Sequence, residues 1–198
     1  MHTCFRRIME ISTMTLSAYL VGLVIIVGST LVPFLQSPSP PQPVITVFNI
    51  SNSQLLQIPV PAIFAQGENP PPVHDHLFVA FTMRANFAPV WDWNTKGVYV
   101  SCIGRYRTDR YVVNEVTLYD EVIKDSETAA RWAIDDARKY PLEDAHFGTL
   151  AGVRVQLVVR YQVLRYFGYS PIHEVSPMGQ TSVAFEVPSK YTTIRRND

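Results

Sequence analysis

The amino-acid sequence predicts a mainly β protein: a single N-terminal transmembrane helix followed by an antiparallel β-sandwich with one interposed helix. Three observations predict it. Met14 to Leu35 is an almost unbroken apolar run of 22 residues. Beyond Val44, apolar residues recur at every second position over long stretches, which is the period of a strand with one buried face. Turn-forming Pro, Gly, Asn and Asp residues separate those stretches, and one segment alone carries helix-capping signals.

The apolar run has the length of a membrane span, since a hydrocarbon core about 30 Å thick needs roughly 20 helical residues to cross it. Gly22 and Gly28 do not argue against helix, because a backbone in lipid must satisfy its own hydrogen bonds. Arg6 and Arg7 precede the run, and Glu68 is the first charge after it. That asymmetry predicts residues 1–13 as a short cytoplasmic tail, 14–35 as a signal anchor, and everything beyond on the far side of the membrane. A cleaved signal is the competing reading, with Val27-Gly28-Ser29 as its cleavage region, but the apolar stretch continues through Leu31, Val32, Phe34 and Leu35. Residues 36–43, Gln-Ser-Pro-Ser-Pro-Pro-Gln-Pro, read as a stiff polyproline spacer leading to a domain at 44–198.

The elements of that domain follow in order. Val44–Phe48 is a short β-favouring run, then Asn49-Ile50-Ser51 forms a glycosylation sequon with Asn49 as its acceptor. Gln66–Val73 is a proline loop. Leu77, Val79, Phe81, Met83, Ala85 and Phe87 make the apolar face of a long strand. Trp91–Lys96 breaks the alternation, with Asp92 and Asn94 suited to a turn. Strands resume at Gly97–Tyr106 and Tyr111–Ile123. Asp125-Ser126 caps a helix predicted from Glu127 to about Lys139, stopped by Pro141. Val153 to Leu164 alternates again, and Thr181–Val187 is the closing strand.

Charge and cysteine content exclude several classes. The 17 basic and 17 acidic residues are well mixed, so neither a nucleic-acid surface nor a polybasic lipid patch is indicated. Of the two cysteines, Cys4 falls on the cytoplasmic side and Cys102 on the other, where it reads as a small buried apolar residue. A disulfide-bearing adhesion or receptor-like sandwich is therefore the lesser alternative.

The search for catalytic chemistry is mostly negative. His74-Asp75-His76 puts two imidazoles on one face of a strand and the carboxylate on the other, and reads as a surface segment rather than a metal site. His146 and His173 are isolated and accompany no Gly-x-Ser-x-Gly or Ser-x-x-Lys motif, which leaves an anchored hydrolase as a weak reading. Asp135-Asp136 and Glu143-Asp144 read as a solvated helix face and a loop. No catalytic residue, cofactor or metal is assigned.

Two blocks carry a family likeness: Trp91-Asp92-Trp93-Asn94-Thr95-Lys96, and Leu118-Tyr119-Asp120-Glu121-Val122-Ile123. With the ending Gly179-Gln180-Thr181-Ser182-Val183-Ala184-Phe185 and the nearby Tyr191, the chain resembles subunit 3 of the eukaryotic signal peptidase complex. The resemblance covers most of residues 14–191, while the proline-rich stretches and Arg165–Met178 depart from the family's pattern. It implies a single-pass, type II protein of the endoplasmic reticulum membrane with most of the chain lumenal. It also implies a non-catalytic accessory role, with a catalytic signal peptidase subunit, other small membrane subunits and the lipid bilayer as partners. Trp91, Asp92, Trp93, Asn94 and Lys96 are then family-motif residues with structural or partner-contact roles. Trp93 is expected to dock into the sandwich, with Trp91 as the alternative outward contact.

Overall fold

In a computed structural model of the chain, helix α1 spans His2–Gln36 and contains the whole apolar run. The structure describes residues 2–36, 41–59, 73–109, 111–144, 149–175 and 183–192, with the α1 side chains described from Cys4 to Ser29. Cys4–Ser29 is long and apolar enough to cross a membrane, and none of it is buried against the rest of the protein. Its hydroxyls turn back onto its own backbone: Thr13 donates to Met9 O at 2.9 Å, Thr15 to Ile11 O at 2.8 Å and Ser17 to Thr13 O at 2.8 Å. Such bonds satisfy polar groups that hydrocarbon would leave unmet.

Two antiparallel sheets follow. The first runs β1 (Val44–Pro59), β2 (Val73–Asn86), β5 (Trp132–Ala137), and the two-residue β6 (Leu142–Glu143) shares the outer edge of β2 with β5. The second runs β4 (Asn114–Ile123), β3 (Thr95–Tyr106), β7 (Arg154–Arg165). β8 (Ile172–Val175) pairs with residues 159–162 of β7, and β9 (Val183–Glu186) pairs with 154–157.

The period-two faces meet between the sheets. Leu77, Val79, Phe81, Met83 and Ala85 of β2 are buried, as are Val155, Leu157, Val159, Tyr161 and Val163 of β7. Phe81 meets Phe48 and Tyr119 edge-on, with ring centroids 6.0 Å apart in each pair. Phe87 meets Trp132 in the same way at 5.6 Å. Cys102 lies wholly inside this core as a free thiol, and burial pushes its pKa far up, so it acts as an apolar filler.

Two elements differ from expectation. The capped helix is only one turn long: α2 spans Ser126–Ala130, with the Asp125 side chain accepting from Thr128 N at 2.7 Å. The predicted helix to Lys139 gives way to β5, because Trp132 and Ile134 alternate inward and the edge of β2 offers a ladder from Met83 to Ala85. Burial of these two side chains outweighs the helix propensity of the alanines around them. The second difference is at β1, which continues through the sequon to Pro59 where only Val44–Phe48 was predicted. Its register shifts between Ile45 and Val47 and again between Ile50 and Asn52, so its apolar residues lose strict alternation.

Candidate functional site

The family-motif segment forms the turn between β2 and β3, entered through a short 3-10 helix at Ala88–Val90. Asp92 organises it. Its Oδ1 accepts from Asn94 N at 2.9 Å and from Thr95 Oγ1 at 2.8 Å, while Thr95 N donates to Asp92 O at 3.1 Å. This is an Asx turn, in which a short carboxylate side chain substitutes for backbone acceptors. Asp92 Oδ2 also pairs with Arg165 Nη1 at 2.7 Å, across to the end of β7. Burial by itself raises the Asp92 pKa, but the hydrogen bonds from Arg165, Thr95 and Asn94 hold it below the ordinary carboxylate value.

Asn94 joins this turn to the loop after β7. Its buried amide donates from Nδ2 to Phe167 O at 2.7 Å and accepts from Phe167 N at Oδ1 at 3.1 Å, and Asn94 O accepts from Tyr166 N at 3.0 Å. Asp, Asn and Thr at this spacing therefore fix two loops against each other. Lys96 points to solvent.

The two tryptophans exchange their expected places. Trp93 is 71% exposed and does not dock into the sandwich, while Trp91 is half-buried and packs against the core. Asn94 is drawn inward by its bonds to Phe167, while Asp92, itself exposed, closes the turn on Asn94 N and Thr95, and the residue between them faces outward. Tyr166, Phe167, Tyr169 and Ile172 are exposed on the adjoining loop and strand. Sequence patterning missed this gathering because Arg165–Ile172 lies about 70 residues or more away and is brought to the turn by the register Thr95↔Arg165 and the bonds of Asp92 and Asn94 to Arg165, Tyr166 and Phe167.

The histidine segment also differs from expectation. His74, Asp75 and His76 are buried, so this is not a surface segment. Glu143, brought over by β6, places Oε1 2.8 Å from His76 Nδ1, and His76 Nε2 faces His74 Nε2. The three residues each offer a ligand atom within 4.8 Å of the others, so they could hold a metal ion. A carboxylate beside Nδ1 favours the tautomer protonated there, in which Nε2 is the acceptor toward His74. Burial lowers the His76 pKa despite the neighbouring Glu143. Glu143-Asp144 is likewise no solvated loop, since Asp144 is buried and accepts from Tyr106 OH at 3.0 Å.

On the other face of the strand, Asp75 forms a clasp. Its Oδ2 accepts from Leu150 N at 2.8 Å, Thr149 Oγ1 at 3.2 Å and Tyr191 OH at 3.2 Å, tying β2 to the loop before β7 and to the C-terminal segment. Thr192 N donates to Leu55 O at 2.7 Å beside it. Tyr191 thus has a structural role. His173 stacks on Tyr161 with ring centroids 5.1 Å apart, and His146 lies outside the described residues.

Comparison with known proteins agrees with this layout. The family model for "Signal peptidase subunit" matches residues 1–189, which takes in helix α1 and both sheets. The chain is 29% identical over 123 residues to signal peptidase complex subunit 3 of Caenorhabditis briggsae, covering 62% of this chain and 66% of that protein. It is 29% identical to the Caenorhabditis elegans protein of the same name, covering 59% and 63%, and 28% identical to that of Gallus gallus, covering 61% and 65%. Its matched part spans just under two thirds of the length of these curated relatives. With the apolar helix, the two sheets and the Asp92–Asn94 turn all falling inside the matched range, the chain belongs to the signal peptidase subunit family.

Proposed function

We propose that this chain is a non-catalytic accessory subunit of the endoplasmic reticulum signal peptidase complex. It spans the membrane once at residues 14–35 with the N-terminus in the cytoplasm, and its sandwich lies in the lumen. There it supports a serine-type catalytic subunit, alongside other small membrane subunits, in cleaving signal peptides from nascent secretory and membrane proteins. The observation that carries this reading is the family match over residues 1–189, which includes anchor and sandwich together. An adhesion or receptor-like role has no comparable support, and both cysteines are free.

Within this reading, Asp92 and Asn94 serve structure, by locking the β2–β3 turn to the loop after β7. Asn49 is exposed on β1, the edge strand of its sheet, and suits a lumenal glycan because the edge leaves room for one. A rigid domain held near the bilayer assists cleavage by keeping the reacting groups of a partner aligned, an effect worth several kcal/mol in general.

The test is a reconstituted cleavage assay with His74, His76, His146 and His173 each changed to alanine, singly and together. The expected result is retained cleavage wherever the complex assembles. Loss of cleavage from one substitution in an assembled, folded complex would assign this chain a catalytic role instead.

A further inference from the structure

We propose that the loop pair carrying Trp93 forms an aromatic foot that seats in the lumenal headgroup layer of the bilayer, as a second membrane contact besides the anchor helix. This rests on the reading of α1 as a membrane span. Trp93, Tyr166, Phe167 and Tyr169 are exposed together, with Ile172 beside them at the start of β8. Trp93 and Tyr169 are the most exposed of the group, at 71% and 69%. The hydrogen bonds between Asn94 and Phe167, and the pairing of Asp92 with Arg165, hold the two loops as one surface.

The strand registers fix which end of the sandwich this is. Val44, where the chain enters β1, pairs with Asn86 at the end of β2, and Thr95 at the start of β3 pairs with Arg165 at the end of β7. The foot therefore lies at the end where the chain arrives from the membrane. Tyr161 OH donates to Pro41 O at 3.4 Å, and Pro43 is buried, so the arriving segment is already packed on the sandwich at this end. From Gln36, the last residue of α1, to Pro41 is a chain of five peptide units, which reaches at most about 18 Å. That tether keeps this end close to the point where the helix leaves the bilayer.

The composition matches the destination. Tyr and Trp concentrate at membrane–water interfaces, where an amphipathic ring sits partly among headgroups and partly in hydrocarbon. Lys96 is exposed as the second residue of β3, next to that turn, where an ammonium group can meet a lipid phosphate. A protein partner is the competing occupant, and the experiment separates the two.

Full-length chain is placed in nanodiscs of phosphatidylcholine, either unbrominated or brominated near the top of the acyl chains, and tryptophan emission is recorded. Alkaline extraction first establishes that the chain is integral, so failure of the anchor reading is seen separately. Of the three tryptophans, Trp132 is buried and Trp91 half-buried, which leaves Trp93 as the one a lipid can reach. The expected result is a loss of emission in brominated lipid that Trp93→Phe abolishes and Tyr169→Lys diminishes. Trp93→Phe exchanges an exposed indole for a phenyl ring that does not emit in this range, and the remaining emission of Trp132 reports that the fold persists. Absence of quenching in the wild type would overturn the proposal, as would quenching that survives Trp93→Phe. Protection of Trp93 from aqueous iodide in the assembled complex, without quenching by lipid, would assign the surface to a protein partner.

Discussion

Asn94 and Phe167 are 73 residues apart and bonded to each other twice, side-chain amide to backbone, at 2.7 and 3.1 Å. Asn94 is almost wholly buried, so its amide has exchanged water for these two bonds. Asn94→Ala leaves the Phe167 N–H and C=O without these partners, at a cost of about 2–3 kcal/mol. Urea unfolding of the full chain in detergent measures it, and an unchanged midpoint would contradict the role of this amide as the joint between the loops.

Trp93→Ala is expected to change stability by no more than about 0.5 kcal/mol, as for other exposed positions. Trp132→Ala should cost about 3–5 kcal/mol, because its ring is buried against Phe87. Protease resistance of the two variants distinguishes the cases, and a susceptible Trp93→Ala would place that indole inside the fold.

Gly97 sits where β3 passes β4 closely, and a Cβ there would lie 2.9 Å from Ile123 O. That neighbour is backbone and cannot rotate away. Gly97→Ala is expected to destabilise by about 1–3 kcal/mol through this overpacking. Thermal melting tests it, and an unaltered transition would show that the two strands can separate without penalty.

Four charges on β3, β4, β7 and β8 interlock. Arg105 meets Glu115 at 2.6 Å and Glu174 at 2.8 Å, and Arg160 meets Glu115 at 2.8 Å and also contacts Glu174. The hydrogen bond from Arg160 is the largest influence on both glutamates and, with Arg105, holds their pKa values below the ordinary 4.5 despite partial burial. A carboxylate depressed in the folded state contributes stability that is complete above its unfolded pKa and is lost as pH falls through the folded one. Thermal stability is therefore expected to decline below about pH 4.5, and Glu115→Gln with Glu174→Gln should flatten that decline. A slope identical to wild type would show that other carboxylates govern acid unfolding.

Much of this architecture is legible in the sequence where one period dominates. Leu77 to Phe87 and Val153 to Val163 alternate so regularly that their buried faces follow directly, and the uncharged run from Met14 announces the long apolar helix. The segment after Asp125 misleads because its caps are real but serve one turn, after which long-range pairing with β2 takes over. The candidate site was half legible. Asp92 and Asn94 signal a turn locally, but the direction of Trp93 depends on Arg165 and Phe167. The burial of His74 and His76 depends likewise on Glu143, delivered by a two-residue strand no propensity marks.

The central claim is that this chain belongs to a signal peptidase assembly without supplying its chemistry. Affinity isolation of the tagged full-length chain in mild detergent, followed by a signal-peptide cleavage assay, tests it most directly. The expected result is a stable set of small membrane subunits whose cleaving activity co-purifies with the tag, while the chain isolated alone cleaves nothing. Cleavage by the isolated chain, or its recovery without any peptidase subunit, would contradict the claim.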